Sequence, residues 1–364
     1  MTFLSGIFFI FLFITFILYF LFPLRFRWIV LLAASVVFYL SSGVPQILFI
    51  LLSSLIVYGA GRWMDAVYAR QEKDLKASEL SREEKKERKL SDRKKCRGIL
   101  TVTVVLLLLV LTYCKIGHWL IGTLQSIMEE SAPDWMQVIV PLGISYYTFS
   151  LIAYLADVYW RKEKAEKNYF KFALFVMYFP KILQGPISRH KNLAPQLIEG
   201  HPFDYTRVCY GLQLALWGYF KKLVIADRLA VFVNEVFGNY MAYSGLIFVV
   251  AILLASVQLY TDFSGCMDIA SGVSQIFGIE LEKNFDHPFF ARSAAEFWRR
   301  WHITLGSWFK DYVYMPLVVS PKVSKLAQMV KKVFGIRAGK AVMTIVPTGV
   351  VWVLTGLWHG TGYN

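Results

Sequence analysis

The sequence predicts an all-α, polytopic integral membrane protein, with transmembrane and re-entrant helices around a central cavity. Three observations predict it. Of the 364 residues, 56% are hydrophobic and only 18% are charged, below the roughly 25% charged residues of soluble domains. Several apolar windows reach the roughly 20 residues that a helix needs to cross a bilayer. Between them lie shorter apolar stretches broken by Gly, Pro and embedded charge. Such backbone is tolerated at membrane depth only where protein covers it or where it lines a water-filled cavity.

The elements follow in order. Residues 3–22 are almost wholly apolar and Pro23 closes them. They lack a charged start and a small-residue cleavage site, so they read as a retained first span. Arg25 and Arg27 precede the second span, residues 28–40, and a short Ser-Gly-Pro turn leads to the third, 46–60. Residues 61–97 hold 13 Lys or Arg against 8 Asp or Glu. That mixture reads as a charged cytoplasmic loop, either a solvated helix or disordered. Residues 98–113 form a fourth span. Lys115, His118 and Glu129–Glu130 then fall in an outside connection, and a fifth span, 137–160, ends at the basic flank Arg161-Lys162-Glu163-Lys164.

From Tyr169 the pattern is irregular. Residues 169–179 reach about two-thirds of a span, Pro180-Lys181 interrupts them, and Gln184-Gly-Pro-Ile-Ser-Arg-His190 reads as non-helical. Residues 208–219 and 223–237 flank Lys221-Lys222, with Asp227 and Arg228 embedded in the second. These are the expected re-entrant or tilted helices. His190 and His201 are expected in solvated loops. Residues 244–260 form a clean span, with Asp262 and Asp268 as polar anchors at helix ends, and 269–279 carry small residues that let helices approach closely. Pro288 disfavours helix at His287. Ser293 is placed to cap a helix from Ala294, with Glu296 at its third position. Continued, that helix puts Trp298 and His302 on one face and aligns Phe297, Trp301, Leu305, Trp308 and Tyr312 as a packing stripe. Residues 320–340 form a basic amphipathic stretch suited to the interface, and 341–358 a last span with Pro347 and Gly349.

The formal charge of +14 lies in loops between apolar spans, where it sets topology and meets anionic lipid headgroups. A nucleic-acid partner is therefore excluded. Cys96, Cys114, Cys209 and Cys266 show no paired spacing and give no disulfide framework. His287 beside Asp286 is half a metal site without a ligand cluster, so no metal is expected.

Four runs concentrate the chemistry: Gln258-Leu-Tyr-Thr-Asp-Phe-Ser-Gly, Asn284-Phe-Asp-His-Pro-Phe, Glu296-Phe-Trp-Arg-Arg-Trp-His302-Ile-Thr-Leu and Leu354-Thr-Gly-Leu-Trp-His359-Gly. Each key histidine follows a tryptophan in or beside an apolar segment. Ionisable groups at membrane depth are functional candidates, although the residues alone equally allow interior histidines bonded to backbone carbonyls. Histidine suits a base that takes a proton from an attacking hydroxyl, because its pKa lies near operating pH. A second imidazole, an Arg or backbone N–H groups can hold a developing oxyanion. A Gly-x-Ser-x-Gly elbow is absent from the sequence, which argues against a serine acyl-enzyme and for direct transfer between two substrates.

Together these runs resemble the signature of the membrane-bound O-acyltransferase (MBOAT) family, in its bacterial branch of alginate O-acetyltransferase-like and teichoic acid D-alanyltransferase-like members. Residues 1–364 then form a single membrane domain of that type. The resemblance implies His359 as the catalytic general base and His302 as the second position, orienting substrate or stabilising charge. It points to Trp298, Arg299, Arg300, Trp358 and Asp262 as substrate-binding candidates, although an i,i+4 brace between Glu296 and the arginines is at least as good a reading. It implies no bound cofactor. Acetyl-CoA or an acyl-carrier thioester would serve as donor substrate.

The implied function is transfer of an acyl group, most simply acetyl, from a cytoplasmic donor to an envelope polysaccharide, in a multi-pass protein of the cell membrane. Its partners would be membrane lipid, the glycan acceptor or a partner acyltransferase that hands the group on, and a small acidic carrier protein. D-alanyl transfer toward teichoic acid is the alternative within the family. An acyl-group exporter or a scaffold without chemistry is the alternative of another class. Two departures stand out. Tyr314-Met-Pro-Leu is followed by Val-Val-Ser-Pro-Lys rather than a Gly-rich run, which bears on the acceptor. Family members continue past Trp-His-Gly, so a C-terminally truncated chain is expected.

Overall fold

Proline and glycine punctuation sets the first helix boundaries. In the computed structural model, α1 (Gly6–Leu21) stops two residues before Pro23, and α2 (Arg27–Leu40) ends in the turn that carries Gly43. Residues 1–77, 81–128 and 140–360 are described, with the side chains of 118–128 left aside. The His118 side chain, Glu129–Glu130, the start of the expected fifth span and the last four residues therefore lie outside the described residues. Arg27 does more than mark topology. It is buried, and its guanidinium donates to the Phe22 and Phe20 carbonyls at 3.0 and 3.1 Å, satisfying acceptors that the end of α1 leaves open.

The described chain divides into two compact units, residues 1–47 with 170–301 and residues 48–169 with 302–364. In the first, α6 (Tyr169–Met177) and α7 (Phe179–Ile182) are short and largely buried. The stretch from Gln184 to Arg189 is non-helical, as expected, and Glu282 holds it by accepting from Ser188 Oγ at 2.5 Å. His190 corrects the solvated reading. It opens α8 (His190–Glu199), is buried, and lies 5.0 Å from the Phe175 ring.

Residues 205–238 run as α9 (Tyr205–Tyr219), a π-helical segment (Phe220–Ala226) and α10 (Asp227–Gly238). They pack on α11 (Leu246–Ile276), one continuous helix. Asp262 and Asp268 thus sit inside a helix and not at helix ends. The approach is glycine-limited: a Cβ on Gly218 would lie 2.6 Å from the Gly265 carbonyl oxygen. That closeness brings Lys221 to Asp268 at 2.5 Å and Lys222 to Asp262 at 2.6 Å.

The second unit contains most of α3 (Val44–Ala77), with α4 (Arg82–Met128), α5 (Ile144–Tyr159), α13 (Ile303–Phe309), a π-helical segment (Lys310–Tyr314), α14 (Met315–Val318) and α15 (Pro321–His359). Among its described residues the charged stretch 61–97 takes the solvated-helix alternative, extending α3 and α4 beyond their apolar parts. Ser81 and Glu84 form a capping box that starts α4, with reciprocal bonds of 2.8 and 3.3 Å, and Arg88–Asp74 (2.8 Å) and the buried Gln71–Asp92 bond (3.1 Å) tie the two helices. The basic stretch 320–340 is itself broken: α15 consists of two helical stretches that meet at a kink at Gly335, whose φ is +86°.

Four described helices are long and apolar enough to cross a membrane: Val44–Ala77, Arg82–Gly117, Leu246–Ile276 and Pro321–His359.

Candidate active site

The Trp-His runs behave differently from a single amphipathic helix. Ser293 caps α12 (Ala294–Arg300), its Oγ accepting from Glu296 N at 3.2 Å. Glu296 in turn accepts from Arg292 N (2.8 Å) and Arg300 Nη2 (2.7 Å), and these bonds hold its carboxyl below the usual range. The helix then stops. Trp301 is extended and His302 is left-handed, with φ +47° and ψ +49°. A non-glycine residue there costs on the order of 1–3 kcal/mol. Trp298 and His302 therefore share no helix face, and the expected aromatic stripe is cut in two. His302 caps α13 from outside and is itself buried.

His359 is the last residue of α15. The next residue, Gly360, has φ +154° and ψ +165°, a region open essentially to glycine alone. This accounts for the glycine of Trp-His-Gly: the chain must leave the helix immediately behind the imidazole.

The two imidazoles meet within one unit, with ring centroids 6.4 Å apart. Trp358 contacts both, at 5.8 Å from His302 and 4.7 Å from His359. It also contacts Phe149 at 5.7 Å, and Lys115 Nζ lies 5.4 Å from the centre of its ring. Phe149 stacks on Trp308 at 4.1 Å, and the Trp308 indole donates to the Phe149 carbonyl. His302 lies outside the four membrane-length helices. Burial, and next the neighbouring His359, push its imidazole down to about 3, so it is neutral at physiological pH. A neutral imidazole can accept at one nitrogen and donate at the other.

Beside this cluster is a cavity of about 660 Å³, lined chiefly by apolar side chains of α4, α5, α13 and α15 and including Trp358, Lys115, Trp160 and Tyr312. Tyr312 donates to Asp157 at 2.7 Å, and Lys162 pairs with the same carboxylate at 3.5 Å.

The other sequence candidates lie in the first unit. Asp262 is held by Lys222, Arg300 braces Glu296, and Trp298 and Arg299 are exposed on α12. His287 is exposed and contacts Asp286 at 3.2 Å. Lys115 stands beside this candidate cluster without a signal strong enough to select it from sequence. Its context reads as an outside connection, whereas α4 continues through it; the one sequence signal is a lone cation following a leucine-rich span.

An all-helical membrane protein with two histidines gathered beside an apolar cavity is the class that this fold and cluster define. The sequence profile of the membrane-bound O-acyltransferase family matches residues 100–334, and the chain belongs to that family. It is 33% identical over 269 residues to the probable alginate O-acetylase of Pseudomonas aeruginosa, covering 73% of this chain and 48% of that protein. It is 32% identical over 265 residues to the peptidoglycan O-acetyltransferase of Helicobacter pylori (66% of this chain, 47% of that protein). It is also 30% identical over 230 residues to the teichoic acid D-alanyltransferase of Bacillus subtilis (60% of this chain, 53% of that protein). The chain thus spans about half the length of these relatives.

Proposed function

We propose that this protein is a multi-pass O-acyltransferase of the cell membrane that passes an acyl group, most simply acetyl, from a cytoplasmic thioester donor to a hydroxyl of an envelope glycan. The observation that carries the reading is the His302–His359 pair, with ring centroids 6.4 Å apart, beside a cavity lined chiefly by apolar side chains. His359 takes the proton of the acceptor hydroxyl as its oxygen attacks the acyl carbonyl, and returns it to the departing thiolate. His302, neutral and buried, orients the acceptor or bonds the developing charge. The names of the relatives support acetyl transfer first. The teichoic acid relatives favour a second reading, D-alanyl transfer from a carrier thioester. Trp298, Arg299, Arg300 and Asp262 enter this reading only as candidate contacts to substrate, and no metal or bound cofactor enters it.

The test is the ester content of the cell envelope in cells expressing the full-length protein or His359→Ala at equal membrane abundance, with esters released by mild base and the acid identified by mass. Loss of ester in the variant supports the base assignment, and the released acid separates acetyl from alanyl. Unchanged ester removes His359 from the chemistry and favours the exporter or scaffold.

A further inference from the structure

We propose that the Lys115 ammonium and the Trp358 indole N–H together grip the carbonyl oxygen of the acyl donor, which sits in the apolar cavity beside the histidine pair; this rests on the O-acyltransferase reading. Both residues line that cavity. Trp358 is 9% exposed, and its Nε1 has no hydrogen-bond partner among the described residues. The indole nitrogen can only donate. Burying such a donor unmet costs about 1–3 kcal/mol, so an acceptor brought by a ligand is its natural complement.

Lys115 is half-buried, and among the described residues no carboxylate pairs with it. Its ammonium instead lies 5.4 Å from the centre of the Trp358 ring. Two other polar groups of the same wall are satisfied internally: the Trp308 indole by the Phe149 carbonyl, and the Tyr312 hydroxyl by Asp157. A cation from α4 and a neutral N–H from α15 are thus left near each other, the N–H on the residue that directly precedes His359 in the chain. Around them is a cavity of about 660 Å³, within the roughly 300–1,000 Å³ of small-molecule sites. An uncharged thioester with one strong acceptor oxygen and an otherwise apolar surface is complementary to that wall.

The step balances as follows. The acceptor hydroxyl gives its proton to His359, and its oxygen bonds to the thioester carbon. The carbonyl π pair moves onto oxygen, where Lys115 and Trp358 hold the negative charge. The pair returns as the carbon–sulfur bond breaks, and the thiolate takes the proton from His359, leaving an ester and a free thiol. Donors aimed where charge develops contribute most at the transition state.

The experiment compares the full-length wild type with His359→Ala, Lys115→Met, Lys115→Arg and Trp358→Phe at equal membrane abundance. The readout is the initial rate at which base-labile acyl ester accumulates in the envelope after induction. Lys115→Met and Trp358→Phe are each expected to slow it by about 10²-fold, within the range for loss of one oxyanion donor. Lys115→Arg, which keeps the positive charge, should retain clearly more than Lys115→Met even if Trp358→Phe fails to accumulate. Rates within twofold of wild type for Lys115→Met, with His359→Ala inactive, overturn the grip and leave the functional reading intact; the cavity then holds lipid chains. No ester in the wild type overturns both.

Discussion

His302 opens the seven-residue helix α13 and His359 closes the second stretch of α15, and their ring centroids lie 6.4 Å apart. Each occupies a position where regular helix geometry ends. One imidazole is turned inward by a left-handed backbone, and the other is released by a glycine that no other residue replaces without strain.

The first prediction concerns that glycine. Gly360→Ala forces a Cβ onto φ +154°, so either the backbone relaxes or the helix end shifts. Envelope esterification is expected to fall at least about tenfold, as misplacement of a reacting group by even 1 Å does, while the amount of protein in the membrane stays near wild type. An active Gly360→Ala variant would disconnect the helix exit from the placement of His359.

The second concerns pH. Because burial lowers the folded-state pKa of His302 to about 3, while an unfolded histidine titrates near 6.5, the unfolded state binds the extra proton first on acidification. The neutral ring's contribution is fully present above about pH 6.5 and is lost progressively as pH falls toward 3. Thermal unfolding of purified protein should therefore show a shallower acid decline for His302→Gln than for wild type between those limits. Equal slopes would mean that His302 is solvated.

The third concerns the α9–α11 contact. Gly218→Ala introduces a methyl 2.6 Å from the Gly265 carbonyl oxygen. Separating the helices should cost about 1–3 kcal/mol, the usual penalty of overpacking, visible as a lower unfolding temperature. An unchanged temperature would show that the helices have room to part.

The fourth separates structural from substrate carboxylates. Lys221 and Asp268 are mostly sheltered, with side chains 10% and 27% exposed. Removing one partner leaves a stranded charge, and a fully buried case costs about 3–5 kcal/mol; partial solvent screening reduces this to about 1–3 kcal/mol. Lys221→Met alone should destabilise, and Lys221→Met with Asp268→Leu should recover most of the loss. A double variant as unstable as the single would assign Asp268 to another partner.

Much of the fold was legible because long apolar runs and proline stops act locally. The spans around α1, α2 and α11 and the Ser293 cap follow from residues within one or two helical turns. The misses have a common cause. The stretch 61–97 reads as either a solvated helix or disorder because charge suggests solvent, and only the helix–helix ion pairs and the capping box decide for helix. Asp262 and Asp268 read as helix ends because nothing local reveals that two lysines, 40 and 47 residues earlier in the chain, neutralise them. The motif context singles out the two histidines as candidates but does not disclose their geometry. The break at Trp301–His302 opposes the continuous helical pattern of the surrounding residues, and such local conflict is expected at functional sites. Lys115 was passed over because its meaning depends on Trp358, far away in sequence.

Gly335 does not leave a free hinge behind it. Four residues further on, a Cβ on Gly339 would lie 2.7 Å from Lys331 Cβ and 2.9 Å from the Ala327 carbonyl oxygen, so the two helical stretches that meet at the kink press on each other beside it. The basic, amphipathic stretch is thereby braced against the helix whose last residue is His359, and a shift of one is passed to the other by contact because packed interiors yield little.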